Sequence, residues 1–159
     1  MGSETTRALL HALDRAYDRA SWHGPNLRGA VRGLSPAASA FRPAEGRNSI
    51  SELVVHCAYW KYAVRRKLTG EKRGSFPLEG SNWFRRPRRE GVTRWKADVA
   101  LLDEMHRTLR DAIERFPADR WTKRARGSKH TYQDLVAGAT AHDLYHAGQI
   151  RLLKVLGKK

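Results

Sequence analysis

Over residues 131–157 the side chains Leu135, Ala139, His142, His146, Ile150 and Leu153 recur every third or fourth position, with none of the two-residue alternation a strand requires. That period puts all six on one face of a helix, so the chain must supply other helices to cover them. Three further stretches do so. One begins near Thr6, with Leu9, Leu13, Ala16, Tyr17 and Ala20 on a stripe, breaks at Gly24-Pro25, and resumes through Leu27, Ala30, Val31 and Leu34. A second opens on the capping box Ser49-Ile50-Ser51-Glu52, carries Leu53, Val54, Cys57, Trp60, Val64 and Leu68, and closes at Thr69-Gly70. The third follows Gly91, with Trp95, Val99, Leu102, His106, Leu109 and Ile113 on its stripe, and stops at Phe116-Pro117. The last helix starts at Thr131, where Asp134 completes another capping box.

About twenty residues rich in Arg, Gly and Pro separate the second and third helices. At ~3.3 Å per extended residue they can retrace a helix of ~30 Å. The two helices can then run parallel, and an all-α four-helix bundle with one long crossover is the expected fold, with residues 1–159 as a single domain. No apolar run approaches the ~20 residues of a membrane span, and no secretory signal is visible, so no membrane attachment is expected. Cys57 is the only cysteine, which excludes an internal disulfide and fits a cytoplasmic location.

The net charge of +15 calls for an anionic partner. The basic residues are spread along the chain and carry no base-reading pattern, so no specific nucleic acid is expected and a small anionic substrate is preferred. Leu144, Leu152 and Val155 form a second apolar edge on the last helix, which leaves room for a homodimer.

His142 and His146 stand one turn apart on the apolar face, a spacing that lets two imidazoles converge on one ion. Two buried imidazoles would otherwise need partners for four ring nitrogens. His56, at the margin of the second helix's stripe, offers a third ligand. Glu52 and Asp143 are candidate acceptors for the outward N–H groups. His106 reads as a core or pocket-lining residue, with a fourth ligand as the alternative. His23 is a candidate pocket residue, and His11 and His130 read as surface. Cys57 reads as packing rather than as a nucleophile. Trp22, Trp60, Trp83, Phe84 and Trp95 are candidates to roof a cleft, the Asn82-Trp83-Phe84 group being the most exposed.

Two strings, Ser49-Ile50-Ser51-Glu52-Leu53-Val54-Val55-His56-Cys57-Ala58-Tyr59-Trp60 and Ala141-His142-Asp143-Leu144-Tyr145-His146-Ala147-Gly148-Gln149-Ile150, together resemble the DinB/YfiT superfamily. The likeness extends over nearly the whole chain, including Arg42-Pro43 and Phe116-Pro117. It implies a four-helix bundle with a long crossover, and a divalent transition metal, zinc or nickel, on a histidine triad that maps onto His56, His142 and His146. It also implies a metal-dependent transferase using a low-molecular-weight thiol. Three neutral ligands with open positions would equally suit hydrolysis, and a non-enzymatic metal-stabilised bundle binding an anion is the alternative.

Overall fold

The two capping boxes set the frame in the computed structural model, which describes residues 3–158. Ser49 Oγ accepts the Glu52 N–H at 3.2 Å while the Glu52 carboxylate accepts the Ser49 N–H at 3.0 Å. Thr131 and Asp134 make the same reciprocal pair at 3.2 and 2.9 Å. Each box satisfies donors that a helix start leaves orphaned, and so fixes where the helix begins.

The described residues form six α-helices: α1 (Glu4–Tyr17), α2 (Leu27–Val31), α3 (Pro36–Ser39), α4 (Ile50–Thr69), α5 (Val92–Glu114) and α6 (Tyr132–Leu156). A 3-10 turn at Ala118–Arg120 precedes α6, and no strand occurs among the described residues beyond an isolated bridge between Arg124 and Thr131. Gly70 ends α4 in the left-handed region at φ 76°, which costs glycine nothing. No described helix is long and apolar enough to cross a membrane.

The expected first helix is corrected at its end. It stops at Tyr17, seven residues before Gly24. The Asp14 carbonyl takes the N–H groups of both Asp18 and Arg19, at 3.0 and 2.9 Å, which closes the helix. Asn26 then donates to the Arg19 carbonyl at 2.8 Å and caps α2 through the Gly29 N–H, so the 18–26 loop is a structure of its own and Ala20 is left exposed.

Packing divides into two apolar clusters. Leu53, Val54, Cys57, Leu102 and Ile150 centre one, and Leu13, Leu109, Ile113, Trp121 and Val136 the other. Each such Leu or Ile, removed from water, contributes roughly 1.5–3 kcal/mol. Helix α4 packs most heavily on α5, and the numbering rises together along the two: Glu52 connects through Arg86 to Asp98, Lys61 meets His106, and Leu68 lies beside Ala112 and Phe116. Against α6 the order is reversed, Val64 sharing a groove with Leu135 and Leu53 one with Leu153. That reversed pairing carries His56 to the middle of α6, level with His142 and His146.

Between α4 and α5, residues 70–91 are anchored at several points. Tyr62 Oη accepts the N–H groups of Gly74 and Ser75, and Phe76 and Phe84 pack against Tyr59. Arg86 donates its N–H to Glu52 and its guanidinium to Asp98. The segment is thereby pressed onto α4 between Glu52 and Tyr62, a stretch that includes His56.

Candidate metal centre

Three imidazole nitrogens meet at one point. His142 Nε2 lies 3.1 Å from His56 Nε2 and 3.0 Å from His146 Nε2. The rings of His56 and His146 are buried, 5% and 4% exposed, and His142 is half-buried.

The outward nitrogens decide what the inward ones can be. His56 Nδ1 faces the Asn82 backbone carbonyl at 2.7 Å, and a carbonyl can only accept, so the proton of a neutral ring sits on Nδ1. His146 Nδ1 likewise donates to Gln149 Oε1 at 2.7 Å. Both Nε2 atoms therefore present lone pairs, and the single proton His142 could place between them satisfies only one. A cation satisfies all three. Metal–nitrogen bonds of about 2.0–2.1 Å place neighbouring ligand atoms about 3 Å apart or slightly more, as they are here. The group could thus hold a divalent ion.

The electrostatics agree with neutral rings. Burial, and then the neighbouring His146 and His56, push His142 down to about 3. Burial lowers His146 to about 4 against the Gln149 hydrogen bond, and lowers His56 against the Asn82 carbonyl. In the unfolded chain these groups titrate near 6.5. Below that pH the unfolded state binds more protons than the folded one, so stability falls as pH drops. His146 alone accounts for up to about 1.4 kcal/mol per pH unit between 6.5 and 4. Thermal midpoints measured with a chelator present should hold steady above pH 7 and decline through that window; a flat profile from 6.5 to 4 would contradict buried neutral rings.

The ring supports are not all those expected from sequence. Glu52 does not serve His56: its carboxylate is taken by Arg42, the Ser49 N–H and the Arg86 N–H, where it ties α4 to the following segment. Asp143 does not serve His142 either. It is buried in an ion pair with the Lys61 ammonium, both groups 1% exposed. Cys57, His142 and Asp143 also lie close enough together to form a second ligand group, but the Lys61 charge on Asp143 repels a second cation there. The two acceptors actually used, the Asn82 carbonyl and Gln149, sequence reasoning missed. A backbone oxygen leaves no trace in sequence, whereas Gln149, three residues after His146 on one helix face, was legible. Gln149→Leu is expected to weaken metal affinity 10–100-fold, roughly the usual cost of losing such a support, in competition with a chromophoric chelator. Unchanged affinity would show that Gln149 does not orient the ring.

Around the triad, Trp83 stacks on His56 with centroids 3.8 Å apart, and Trp60 Nε1 donates to Asn82 Oδ1 at 2.9 Å. Phe84 and Trp95 are core residues, and Trp22 stands 95% exposed in the 18–26 loop. His106 is buried outside the triad, stacked on Tyr17 at 3.6 Å and 3.4 Å from Lys61 Nζ. His23 is exposed beside Ser21, and His11 and His130 are exposed. Cys57 is fully buried, and burial pushes its thiol up, away from a nucleophile's range. The apolar edge on α6 is only partly covered, with Leu152 and Val155 exposed.

The sequence profile of the DinB superfamily matches residues 19–150, a span that includes all three imidazoles. Comparison with curated proteins and with solved structures gives no match.

Proposed function

The chain belongs to the DinB superfamily, and on that footing we propose that His56, His142 and His146 hold one zinc or nickel ion in an enzyme that transfers a low-molecular-weight thiol to an electrophile. The observation that supports this most is the meeting of three Nε2 atoms, two of them kept free of protons by Asn82 and Gln149. The family resemblance supports the thiol, and the net charge of +15 supports an anionic small molecule rather than a specific nucleic acid. The same reading takes α1, α4, α5 and α6 as a four-helix bundle with residues 70–91 as its crossover, one cytoplasmic domain in all.

An ion bound by three neutral imidazoles keeps its full charge and supplies Lewis acidity that favours the thiolate form of a thiol near neutral pH. The protein's own part is steric and electrostatic. Trp83 lies flat against His56 and, with Trp60 bonded to Asn82, keeps water from one side of the rings. In the overall reaction the thiol gives up its proton, a sulfur–carbon bond forms, and the leaving group departs with its bonding pair and takes up a proton.

Protein purified without a polyhistidine tag should carry close to one zinc or nickel per chain. It should also convert an activated aryl halide to a thioether with at least one member of a panel of bacterial thiols, followed by mass spectrometry. Metal without turnover would favour the non-enzymatic bundle, ester cleavage without thiol would favour a hydrolase, and absence of metal would end the proposal.

A further inference from the structure

Two grooves open onto the imidazole cluster, and each ends on a different ring. One, of about 250 Å3, lies toward the C-terminal end of α4 and reaches His142 between Trp60, Val64, Leu135 and Ala139. The other, of about 350 Å3, lies toward the N-terminal end of α4 and reaches His146 beside Trp83, Leu53 and Leu152. Their polar equipment differs. The first groove includes Asp134, which is occupied in capping α6. The second contains Arg47, Asn48 and Tyr145, and among the described residues none of these three side chains has a hydrogen-bond or ion-pair partner.

Arg47 is exposed, and the two arginines that anchor the neighbouring segment are already engaged. Arg42 is paired with Glu52 and Arg86 with Asp98. Arg47 is held at its root all the same: its N–H donates to the Ala44 carbonyl at 3.2 Å, and its own carbonyl accepts from the Arg42 guanidinium at 3.1 Å. Its exposed head group is free on an anchored backbone, beside a half-buried carboxamide and an exposed phenol, over an apolar floor. A planar guanidinium with accessory neutral donors matches a carboxylate. The volume is near the lower end for small-molecule pockets, which suits a compact acid rather than a peptide.

We propose that the groove formed by Arg47, Asn48 and Tyr145 is a subsite for the carboxylate end of an acidic small molecule whose remainder lies on Leu152 and points to His146. This deepens the function proposed above and rests on it only for the statement that the reacting end of the molecule is the one at His146.

The test uses the full-length protein as purified, with succinate as the probe and uncharged succinamide as its control, followed by amide shifts at residues 47–48 and 145–149 in heteronuclear NMR. Succinate should bind and succinamide should bind at least about tenfold more weakly. Arg47→Gln should raise the succinate dissociation constant about tenfold, and Arg47→Lys should recover part of the loss. Gly138→Leu fills the other groove, where nothing lies within 4 Å of the added Cβ, and should leave the titration unchanged. No succinate binding, equal binding of succinamide, native affinity in Arg47→Gln, or loss of binding in Gly138→Leu would each overturn the proposal. Metal content measured on the same samples judges the enzyme reading separately.

Discussion

Replacing His142 by alanine is expected to empty the site, lowering bound metal from near one ion per chain to less than about a tenth of that. His142 carries the ring nitrogen that lies within 3.1 Å of both others, so its loss removes the ligand that stands between His56 and His146. Two imidazoles from separate helices form a far weaker chelate than three, since open positions must then be filled by water. Elemental analysis after dialysis reads the result directly. His130→Ala is the control, because that exposed histidine lies outside the triad and its removal should leave the metal in place. The thermal midpoint should move too, since a ligand bound only by the folded state and present at a thousandfold its dissociation constant stabilises by about 4 kcal/mol. Full metal retention in His142→Ala would place the ion elsewhere.

Asp143→Asn is expected to cost about 3–5 kcal/mol of stability, because it leaves the Lys61 ammonium buried without a counter-charge. Lys61 is 1% exposed, and its remaining neighbours are the His106 ring at 3.4 Å and the Tyr17 face at 4.8 Å, neither of which carries negative charge. Desolvation makes such a pair expensive to assemble and more expensive to break. The double variant Lys61→Met with Asp143→Ala should therefore recover most of the loss, since it removes both charges without enlarging either buried side chain. Urea unfolding of the unmodified protein and the two variants checks this; a single-variant cost below about 1 kcal/mol would show that water reaches the ammonium after all. Helix α4 is held to α6 by this pair about a turn and a half beyond His56, so metal affinity in the double variant also reports how far the pair sets the register of the rings.

Much of this was readable from residue order because it depends on local chemistry. The capping boxes at Ser49 and Thr131 place two helix starts by hydrogen bonds that span three residues, and Gly70 and Phe116-Pro117 mark two ends by backbone preference. The pairing of His142 with His146 followed from spacing on one helix face, and His56 was joined to them by its place at the margin of the α4 stripe together with the family resemblance. Contacts between distant segments were not readable. Tyr17 ends α1 because the Asp14 carbonyl takes two donors and Asn26 reaches back to Arg19, neither of which any periodicity announces. Glu52 and Asp143 were matched to the nearest histidines, but each found an opposite charge instead, Arg42 and Lys61, and a buried carboxylate goes to the cation that neutralises it before it goes to a neutral ring. Lys61 itself falls within an apolar helix where a sequence reader expects a solvated charge.

His56 is steadied by a main-chain oxygen of the 70–91 segment, and every amino acid carries one. The segment is therefore at liberty to drift in composition over generations without releasing the ring, provided its path is kept. At the carbonyl itself the restriction falls on backbone shape: Asn82 adopts φ 63°, a conformation comfortable for asparagine, aspartate or glycine and crowded for branched residues. Substitution patterns among related chains should show that choice at position 82, with variation concentrated between the anchors Phe76, Trp83, Phe84 and Arg86.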